Sequence, residues 1–458
     1  MKRPVADYDA VDLELRITNA HVVTPHGIVR GGVAVSNGMI AAIAADASLP
    51  PARETIDAGG QHLLPGVIDG HVHFRDPGLT HKEDFVTGSR AAARGGVTTV
   101  LDMPNTQPPV ETGDLLEAKA AHLASRSLID YGLICVITDR NLDRIEELAK
   151  AGAIAYKIFL GPTTGDLPCP DDGGIVDAMR AIASTGRPLG VHAENPDIVA
   201  AATARLKAEG RTDAAAHALA RPAIAEAESV QRMIVFARAT GARVHIFHMS
   251  AKEAVELVRR GKHDGVAVTS ETCPHYLTLT AEDMPRLGAV SKINPPLRGA
   301  ADIHALWEGL EDGSVDFVVT DHAPHAVEEK TRPVIWENAS GAASVQFLLP
   351  LMLEQVARGR LTLGELVRLL AEAPARMYGL YPKKGVIAVG SDADLTLVDL
   401  SRRAAVRAAQ MESKVKLTPF DGVECRGWPV LTVVRGRVVM RDDTIVAAPG
   451  HGRFLRAG

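Results

Sequence analysis

The chain is 458 residues long, more than one ordinary domain, so we expect one large domain and a smaller one. Its composition, 46% hydrophobic and 23% charged, is that of a globular protein with a sizeable core. A formal net charge of -6 disfavours nucleic acid and anionic membranes as partners. No run approaches the roughly 18 apolar residues of a membrane span.

Cysteine usage and the first residues indicate the compartment. The four cysteines are scattered and form no C-x-x-C pair, which is typical of free thiols in a reducing environment. The opening residues, MKRPVADYDAVDLEL, contain no apolar stretch of a secretory signal and are expected to form a short loose tail. We therefore expect a cytoplasmic protein.

The two ends of the chain have similar β-type patterns. Residues 13–62 contain LELRITNAHVVTP and GGVAVSNGMIAAIA, which are short alternating runs separated by Gly and Asn turns. The C-terminal part contains ADLTLVDL and VLTVVRGRVVMRDDTIV, which are again hairpin-like. Because domain termini often lie close together, we expect residues 1–62 and 376–458 to form one small composite β-sandwich domain.

The region between them, residues 63–375, alternates short β-rich runs with Ala- and Leu-rich helical segments. Its eight strand candidates are LPGVIDGHVHF, VTTVLDMP, YGLICVIT, AIAYKIFL, PLGVHAE, RVHIFHMS, GVAVTSETCP and DFVVTDHAPH. Eight β/α units in this length predict an α/β fold in which a parallel (β/α)8 TIM-type barrel is the catalytic domain.

Nearly every strand candidate ends in a polar side chain of a type that binds ligands. Residues two apart on a strand point to the same side, so His71 and His73 in GVIDGHVHFRDPG can hold one ion together. Barrel strands present their C-terminal ends to a common active-site face, and a structural core does not need this pattern. The strand-end residues are His71, His73, Asn105, Lys157, His192, His248, Glu271 and Asp321.

These residues include more metal ligands than one ion needs. Four histidines and Asp321 exceed the three protein ligands of a typical catalytic zinc site, and they suit two metal ions if a further group bridges them. Lys157 lies inside the apolar strand AIAYKIFL, where burial disfavours its charged form. A neutral amine reacts with CO2 to form a carbamate, a carboxylate-like group that can bridge two divalent ions. The alternative for Lys157 is an ammonium group that reaches water.

The order of an H-x-H motif, a strand-end lysine, two further histidines and an aspartate resembles the amidohydrolase superfamily. Within it the chain resembles the cyclic amidases, which are dihydroorotase, allantoinase and dihydropyrimidinase. The resemblance covers essentially the whole chain, including the divided sandwich, and implies two divalent ions, with zinc as the default for imidazole and carboxylate ligands. The implied ligands are His71, His73 and Asp321 for the first metal, His192 and His248 for the second, and Lys157, carboxylated by CO2, as the bridge.

Asp321, in DFVVTDHAPH, is the predicted catalytic residue. Two metal ions together activate a water molecule and polarise a carbonyl group. We assign Asp321 the role of general base during attack and then of general acid towards the departing amide nitrogen. The alternative is that Asp321 serves as a metal ligand only.

Three motifs resemble dihydroorotase at the substrate, namely Arg75 in HVHFRDPG, Asn105 in MPNTQPP and His325 in DHAPH. A guanidinium group binds a carboxylate bidentately, and the dihydroorotase substrate carries one carboxylate on a six-membered cyclic amide. Asn294 in KINPPLR matches the dihydroorotase position that hydrogen-bonds the pyrimidine ring. The resemblance thus implies interconversion of N-carbamoyl-L-aspartate and L-dihydroorotate in pyrimidine biosynthesis. A solvated Arg75 and a turn-forming Asn105 are the alternatives.

Three departures from the dihydroorotase pattern keep other functions open. ETCPHYL, with Glu271 and His275, looks more like allantoinase and dihydropyrimidinase, and these two side chains can either support the metal ligands or serve the turn itself. ENASGAASVQFLLPL lacks the usual Pro-Phe-Gly, and Lys157 replaces the aspartate of some bacterial dihydroorotases.

The alternatives are therefore allantoinase or another cyclic ureide or imide hydrolase such as dihydropyrimidinase. Outside the enzymes, the alternative is a non-catalytic scaffold homologue, which the intact metal ligands disfavour. Whichever applies, we expect a homo-oligomer that binds a small-molecule substrate.

Overall fold

The computed structural model describes residues 13–165 and 167–456, so most of the predicted N-terminal tail lies outside the described residues. The described strands fall into two sheets, one from the chain ends and one from the middle. The strands are β1 (Leu15–Thr24), β2 (Gly27–Ser36), β3 (Met39–Ala44), β4 (Glu54–Asp57), β5 (His62–Pro65), β6 (Val67–Val72), β7 (Val97–Asp102), β8 (Asp130–Val136), β9 (Ala155–Phe159), β10 (Leu189–His192), β11 (Val244–Ile246), β12 (Val268–Thr272), β13 (Phe317–Val318), β14 (Leu395–Ala405), β15 (Glu424–Val434), β16 (Arg437–Arg441) and β17 (Thr444–Ile445).

The terminal sheet joins both ends of the chain. Its nine strands run in the order β17-β16-β15-β14-β5-β1-β2-β3, with β4 beside β1. The two halves meet where β14 pairs antiparallel with β5, and Leu397 there lies opposite Leu63. Side chains from both halves, including Ile17, Val33 and Val433, pack into one apolar cluster. β5 thus places residues up to Pro65 in this sheet, and the first strand of the other sheet begins at Val67.

The central sheet is a barrel of eight parallel strands in sequence order, from β6 to β13. An isolated parallel bridge between Val72 and His322 joins its first and last strands. The amide of His73 also donates a hydrogen bond to the His322 carbonyl (2.7 Å). Because all strands run the same way, their C-terminal ends lie on one face of the barrel.

Helices follow the barrel strands, and their ends carry the expected capping residues. Asp84 and Asp171 accept hydrogen bonds from amides in the first turns of α1 and α4, while Gly186 and Gly241 end α4 and α7 in the left-handed conformation. The helices are α1 (Phe85–Arg94), α2 (Gly113–Leu123), α3 (Ile145–Ala151), α4 (Asp172–Thr185), α5 (Pro196–Ala208), α6 (Ala214–Ala220), α7 (Ala223–Thr240), α8 (Lys252–His263), α9 (Pro274–Thr278), α10 (Met284–Leu287), α11 (Ala300–Asp312), α12 (Val327–Lys330), α13 (Leu348–Ala357), α14 (Leu363–Val367) and α15 (Ala373–Met377).

The predicted fold class is confirmed: the middle of the chain forms a parallel barrel with alternating helices, and the chain ends form a separate β structure. None of the described helices is long and apolar enough to cross a membrane. Two connections are longer than a simple barrel needs, since α5, α6 and α7 follow β10 and α9, α10 and α11 follow β12.

A buried ionic cluster connects the barrel to the terminal sheet. The Lys384 ammonium group lies 2.7 Å from Asp130, 3.0 Å from Asp392 and 2.6 Å from Asp394, and all four side chains are buried. Asp130 begins β8 at the N-terminal end of the barrel, whereas the other three residues lie between α15 and the start of β14. A buried charge is tolerated when its partners surround it, so the cluster depends on the lysine.

We therefore expect Lys384→Met to destabilise the protein strongly, because it leaves the buried carboxylates of Asp392 and Asp394 without their cation, while Asp130 keeps Arg435. Breaking such a group costs about 3–5 kcal/mol in the free energy of unfolding. Lys150→Met is the matched control, since Lys150 forms an exposed pair with Glu146 that is worth at most about 0.5 kcal/mol. Denaturant unfolding of both variants measures the difference, and equal stability would contradict the role given to the cluster.

Candidate metal centre and substrate pocket

The six predicted metal ligands come together at the C-terminal face of the barrel. His71 lies in β6, Lys157 in β9 and His192 at the end of β10, while His248 and Asp321 follow β11 and β13 within three residues. All six residues, including His73, are buried. The barrel therefore converts six scattered sequence positions into one cluster.

One half of the cluster is built around Asp321. Its Oδ1 atom lies 3.3 Å from Nε2 of His71 and 3.3 Å from Nε2 of His73, so three ligand atoms surround one point. Lys157 Nζ lies 3.0 Å from the same His71 nitrogen. His71, His73 and Asp321 are the residues predicted to bind the first metal, and Lys157 lies next to them.

The other half is formed by two histidines that face each other. Nδ1 of His192 lies 3.1 Å from Nε2 of His248, and the His71 and His248 rings are 5.2 Å apart. Two imidazole nitrogens in this position suit a metal ion that both can bind. The donors present thus fit two neighbouring divalent ions, with Lys157 close to both halves.

Burial controls the charge of these ligands. It lowers the pKa of His73 to about 3 and the pKa values of His71 and His248 well below their usual range, which favours the neutral imidazole that binds metals. Burial alone would raise the pKa of Asp321, but His71 and a hydrogen bond from His73 outweigh it and lower that pKa. The carboxylate form of Asp321 is therefore favoured.

Lys157 is held in an environment that favours the neutral amine. The rings of Phe159 and Phe247 lie 4.6 Å and 4.7 Å from its Nζ atom and keep water away from it. The loss of solvation on burial lowers its pKa to about 7 and outweighs the opposing effect of Asp321 and Glu271. A neutral amine is the form that reacts with CO2, as the sequence analysis expected.

Two glutamates orient ligand histidines by binding the ring nitrogen that faces away from the cluster. Glu271 lies 2.5 Å from Nδ1 of His71, which leaves Nε2 facing the cluster, and its other oxygen lies 3.1 Å from His245. Glu194 lies 3.0 Å from Nε2 of His192, which leaves Nδ1 facing the cluster. A carboxylate in this position fixes the ring orientation and tautomer of a metal ligand.

Glu194 and His245 were missed in the sequence analysis. Arg221, which forms a buried salt bridge with Glu194 (2.6 Å), was missed as well. The H-x-E spacing of His192 and Glu194 is the one signal that could have identified a member of this set, because residues two apart share a strand face.

A cavity of about 260 Å³ opens in front of the metal ligands. Arg75 and Asn294 line it, as predicted for substrate-binding residues, together with Ala339, Ser340 and Gly341. The remaining lining residues are His73, Lys157, Phe159, Pro162, Thr163, Thr164, His192, His248, Asp321 and Ala323.

Arg75 is the unusual group in this cavity. It is 2% exposed, yet its Nε and Nη1 atoms have no hydrogen-bond partner and it forms no salt bridge within the described part of the chain. Its single polar side-chain contact is a long one, 3.4 Å from Nη2 to Nε2 of His325. The Asn294 side-chain oxygen is also buried and without a partner. Buried polar groups normally have partners, so both point to a ligand.

Asn105 and His325 do not line this cavity. The Asn105 amide donates to the Thr164 carbonyl (2.8 Å) and lines a neighbouring cleft. His325 lies behind Arg75, with Lys82 Nζ 3.2 Å from Nδ1 and the Ser340 carbonyl 3.1 Å from Nε2. Burial and the neighbouring cations Arg75 and Lys82 lower the pKa of His325, so the ring is neutral, accepts from Lys82 and donates to Ser340. Both residues therefore support the cavity from outside it.

Known proteins resemble this chain over nearly its whole length. The family model of the Amidohydrolase family matches residues 62–439. An allantoinase of Deinococcus radiodurans is 38% identical over 97% of this chain and 99% of its own, and a dihydroorotase of Methanothermobacter thermautotrophicus is 40% identical over 89% and 90%. The solved structure of the L-hydantoinase (dihydropyrimidinase) from Arthrobacter aurescens has a TM-score of 0.94 and 37% identity, and covers 97% of this chain and 100% of its own.

The role of Glu271 predicts a specific change in metal binding. Glu271→Gln keeps the shape of the side chain, but its amide cannot accept from two histidines at once. We expect the affinity of the purified protein for Zn2+ to fall about 10- to 100-fold, as in other sites of this kind. Competition with a chelator measures it. Glu256→Gln, at an exposed helix position, is the control, and equal affinities in both variants would refute the assignment.

The pKa of Lys157 predicts how carbamate formation depends on pH. The neutral amine reacts and the ammonium form does not, so carboxylation of metal-free protein by 13C-bicarbonate should rise with pH through about 7. The carbamate signal in a 13C NMR spectrum measures it, and Lys157→Met should abolish it. A signal that persists in that variant would mean that another amine reacts.

Proposed function

The chain belongs to the amidohydrolase family, and from this premise we propose that it hydrolyses a cyclic ureide that carries a carboxylate group. Its membership confirms the predicted resemblance, and its relatives support a hydrolase that acts on cyclic amides. The non-catalytic scaffold alternative therefore loses its support. What remains to be proposed is the substrate.

The comparisons do not single out dihydroorotase, which the sequence analysis took as the main prediction. The relatives divide among hydantoinase, allantoinase and dihydroorotase, and the first two names come first among them. They support the alternative, a hydrolase of another cyclic ureide, better than the main prediction. All three names share one ring chemistry, the opening of a cyclic amide.

One observation carries the carboxylate proposal, namely the buried and unpaired guanidinium of Arg75. Burial lowers its pKa only to about 10, so it stays charged at neutral pH. A buried charge without a partner is costly, and a carboxylate on the substrate supplies the bidentate acceptor that the described residues lack. The free oxygen of Asn294 can accept a hydrogen bond from a ring N–H group.

The chemistry follows from the groups that surround the cavity. The ligand cluster would hold divalent ions, which would supply Lewis acidity and lower the pKa of water. Arg75 and Asn294 hold the ring so that the amide bond lies beside Asp321. Asp321 takes a proton from the attacking water and returns it to the leaving nitrogen. We propose two ions, zinc by default, with carboxylated Lys157 as their bridge, and a homo-oligomer stays a prediction.

Four substrates separate the contribution of the carboxylate from that of ring size. L-dihydroorotate and hydantoin-5-acetate carry a carboxylate on six- and five-membered rings, and dihydrouracil and hydantoin are their uncharged counterparts. We expect the two acids to have the higher kcat/KM. Arg75→Met should lower kcat/KM for the acids alone, since loss of a buried charge-assisted pair costs about 2–5 kcal/mol, or roughly 30- to several-thousand-fold.

Arg75→Lys is the matched variant, because it keeps the charge but loses the planar fork, and it should lose less. Metal content should be unchanged in both variants. The second candidate, an allantoinase- or hydantoinase-type enzyme for uncharged ureides, is favoured by the relatives' names. It replaces the first if allantoin or hydantoin is the better substrate and Arg75→Met affects acids and uncharged rings alike.

A further inference from the structure

We infer that Lys292 and Lys330 are positioning residues, whose buried amino groups fix one wall of the cavity. The wall segment is residues 335–341, of which Ala339, Ser340 and Gly341 line the cavity. The inference rests on the proposed function only in that the substrate is taken to bind in this cavity.

Both lysines bind backbone carbonyl groups of the wall segment. Lys292 Nζ donates to the Ile335 carbonyl (2.8 Å) and to that of Asn338. Lys330 Nζ donates to the Ala339 carbonyl (3.1 Å) and to the carbonyl of Lys292 itself (3.0 Å). Each ammonium group therefore connects two points of the backbone.

His325 completes the set by donating to the Ser340 carbonyl. Three consecutive carbonyl groups, those of residues 338–340, thus each accept a hydrogen bond from a buried side chain. None of these side chains belongs to the wall segment. Two amides are fixed as well, since Ala339 N–H donates to the Glu329 carbonyl and Gly341 N–H to the Lys292 carbonyl (2.8 Å each). The wall has little freedom to rotate its peptide groups.

This arrangement leaves the Ser340 N–H available. The N–H and C=O groups of a trans peptide point in opposite directions. Because Lys330 holds the Ala339 carbonyl, the Ser340 N–H of the same peptide points away from the lysine. No acceptor for that N–H occurs among residues 13–165 and 167–456. Lys330 therefore sets the direction of a wall amide that lies at the cavity.

Burying two lysine side chains costs free energy, so the space that they fill does not explain their presence. Lys330 is 4% and Lys292 is 7% exposed, and neither forms a salt bridge with a described residue. Burial lowers the pKa of Lys330 to about 7 and that of Lys292 to about 8. An apolar side chain would fill the same space without this cost. What the amino group adds is directed N–H donors, and it keeps at least two of them whether it is charged or neutral.

The test compares Lys330→Met and Lys292→Met with the parent protein in two measurements. Hydrogen–deuterium exchange of peptides that cover residues 332–345 should become faster in both variants. For the ureide that the protein turns over best, KM should rise about 10- to 100-fold, while kcat changes less than about threefold and metal content stays the same.

Lys262→Met is the matched control. Lys262 also donates to a backbone carbonyl, that of Gly313 (2.6 Å), but it does not line the cavity and it pairs in addition with Asp316 (2.7 Å). It should leave KM and exchange of the wall segment unchanged. Lys330→Gln keeps N–H donors and should recover part of the loss, and it serves as the test variant if the Met variants do not fold.

Unchanged exchange of the wall segment in the Lys330 variants would overturn the inference, as would a fall in kcat without a rise in KM. Exchange is measured without substrate, so it separates this inference from the proposed function. A protein that hydrolyses no cyclic ureide, but whose wall segment exchanges faster in Lys330→Met, would refute the function and keep the lysine's role.

Discussion

Closure of the barrel between its first and last strands is the contact on which the site depends. The Asp69 carboxylate in β6 accepts hydrogen bonds from the Thr320 amide (3.1 Å) and hydroxyl (2.5 Å), which lie 251 residues away in the chain. This contact places His71 and His73 within 3.3 Å of Asp321. Burial raises the pKa of Asp69 to about 7, because it disfavours the charged carboxylate. The group that accepts these closing hydrogen bonds is therefore costly to ionise. The three residues proposed to hold the first metal therefore come together only in the closed barrel.

The site stores backbone strain in three places. Arg75, His248 and Asp321 adopt positive φ angles of 62°, 38° and 46°, a region that side chains other than glycine rarely occupy. Each costs on the order of 1–3 kcal/mol and persists only where the surroundings enforce it. These turns aim a guanidinium, an imidazole and a carboxylate into one cavity. The well-packed barrel and the Lys384 cluster supply stability at a distance from the chemistry.

Sequence patterns were sufficient for the parts of the molecule that are periodic. The barrel strands are short apolar runs, and their ends carried the ligands from His71 to Asp321, because strand direction alone decides that these ends meet. Asn105 and His325 lie in loops, where the direction of a side chain depends on contacts with distant segments. The sequence identified both as polar side chains near the site. It did not show that Asn105 hydrogen-bonds the Thr164 carbonyl or that His325 hydrogen-bonds the Ser340 carbonyl. Lys292, in a connection, and Lys330, at the end of the one-turn helix α12, belong to the same class, since no local pattern shows that such a lysine is buried.

This division between strand ends and loops separates the proposed metal ligands from the groups proposed to select the substrate. The proposed metal ligands stand at or just after strand ends, whose positions the barrel fixes. Arg75 and the wall segment stand on connections after β6 and β13, which can change without disturbing the barrel. Under the proposed function, the choice of ring substituent rests on a few loop contacts. The buried and unpaired guanidinium of Arg75 then makes charge, more than ring size, the property by which this chain selects its substrate.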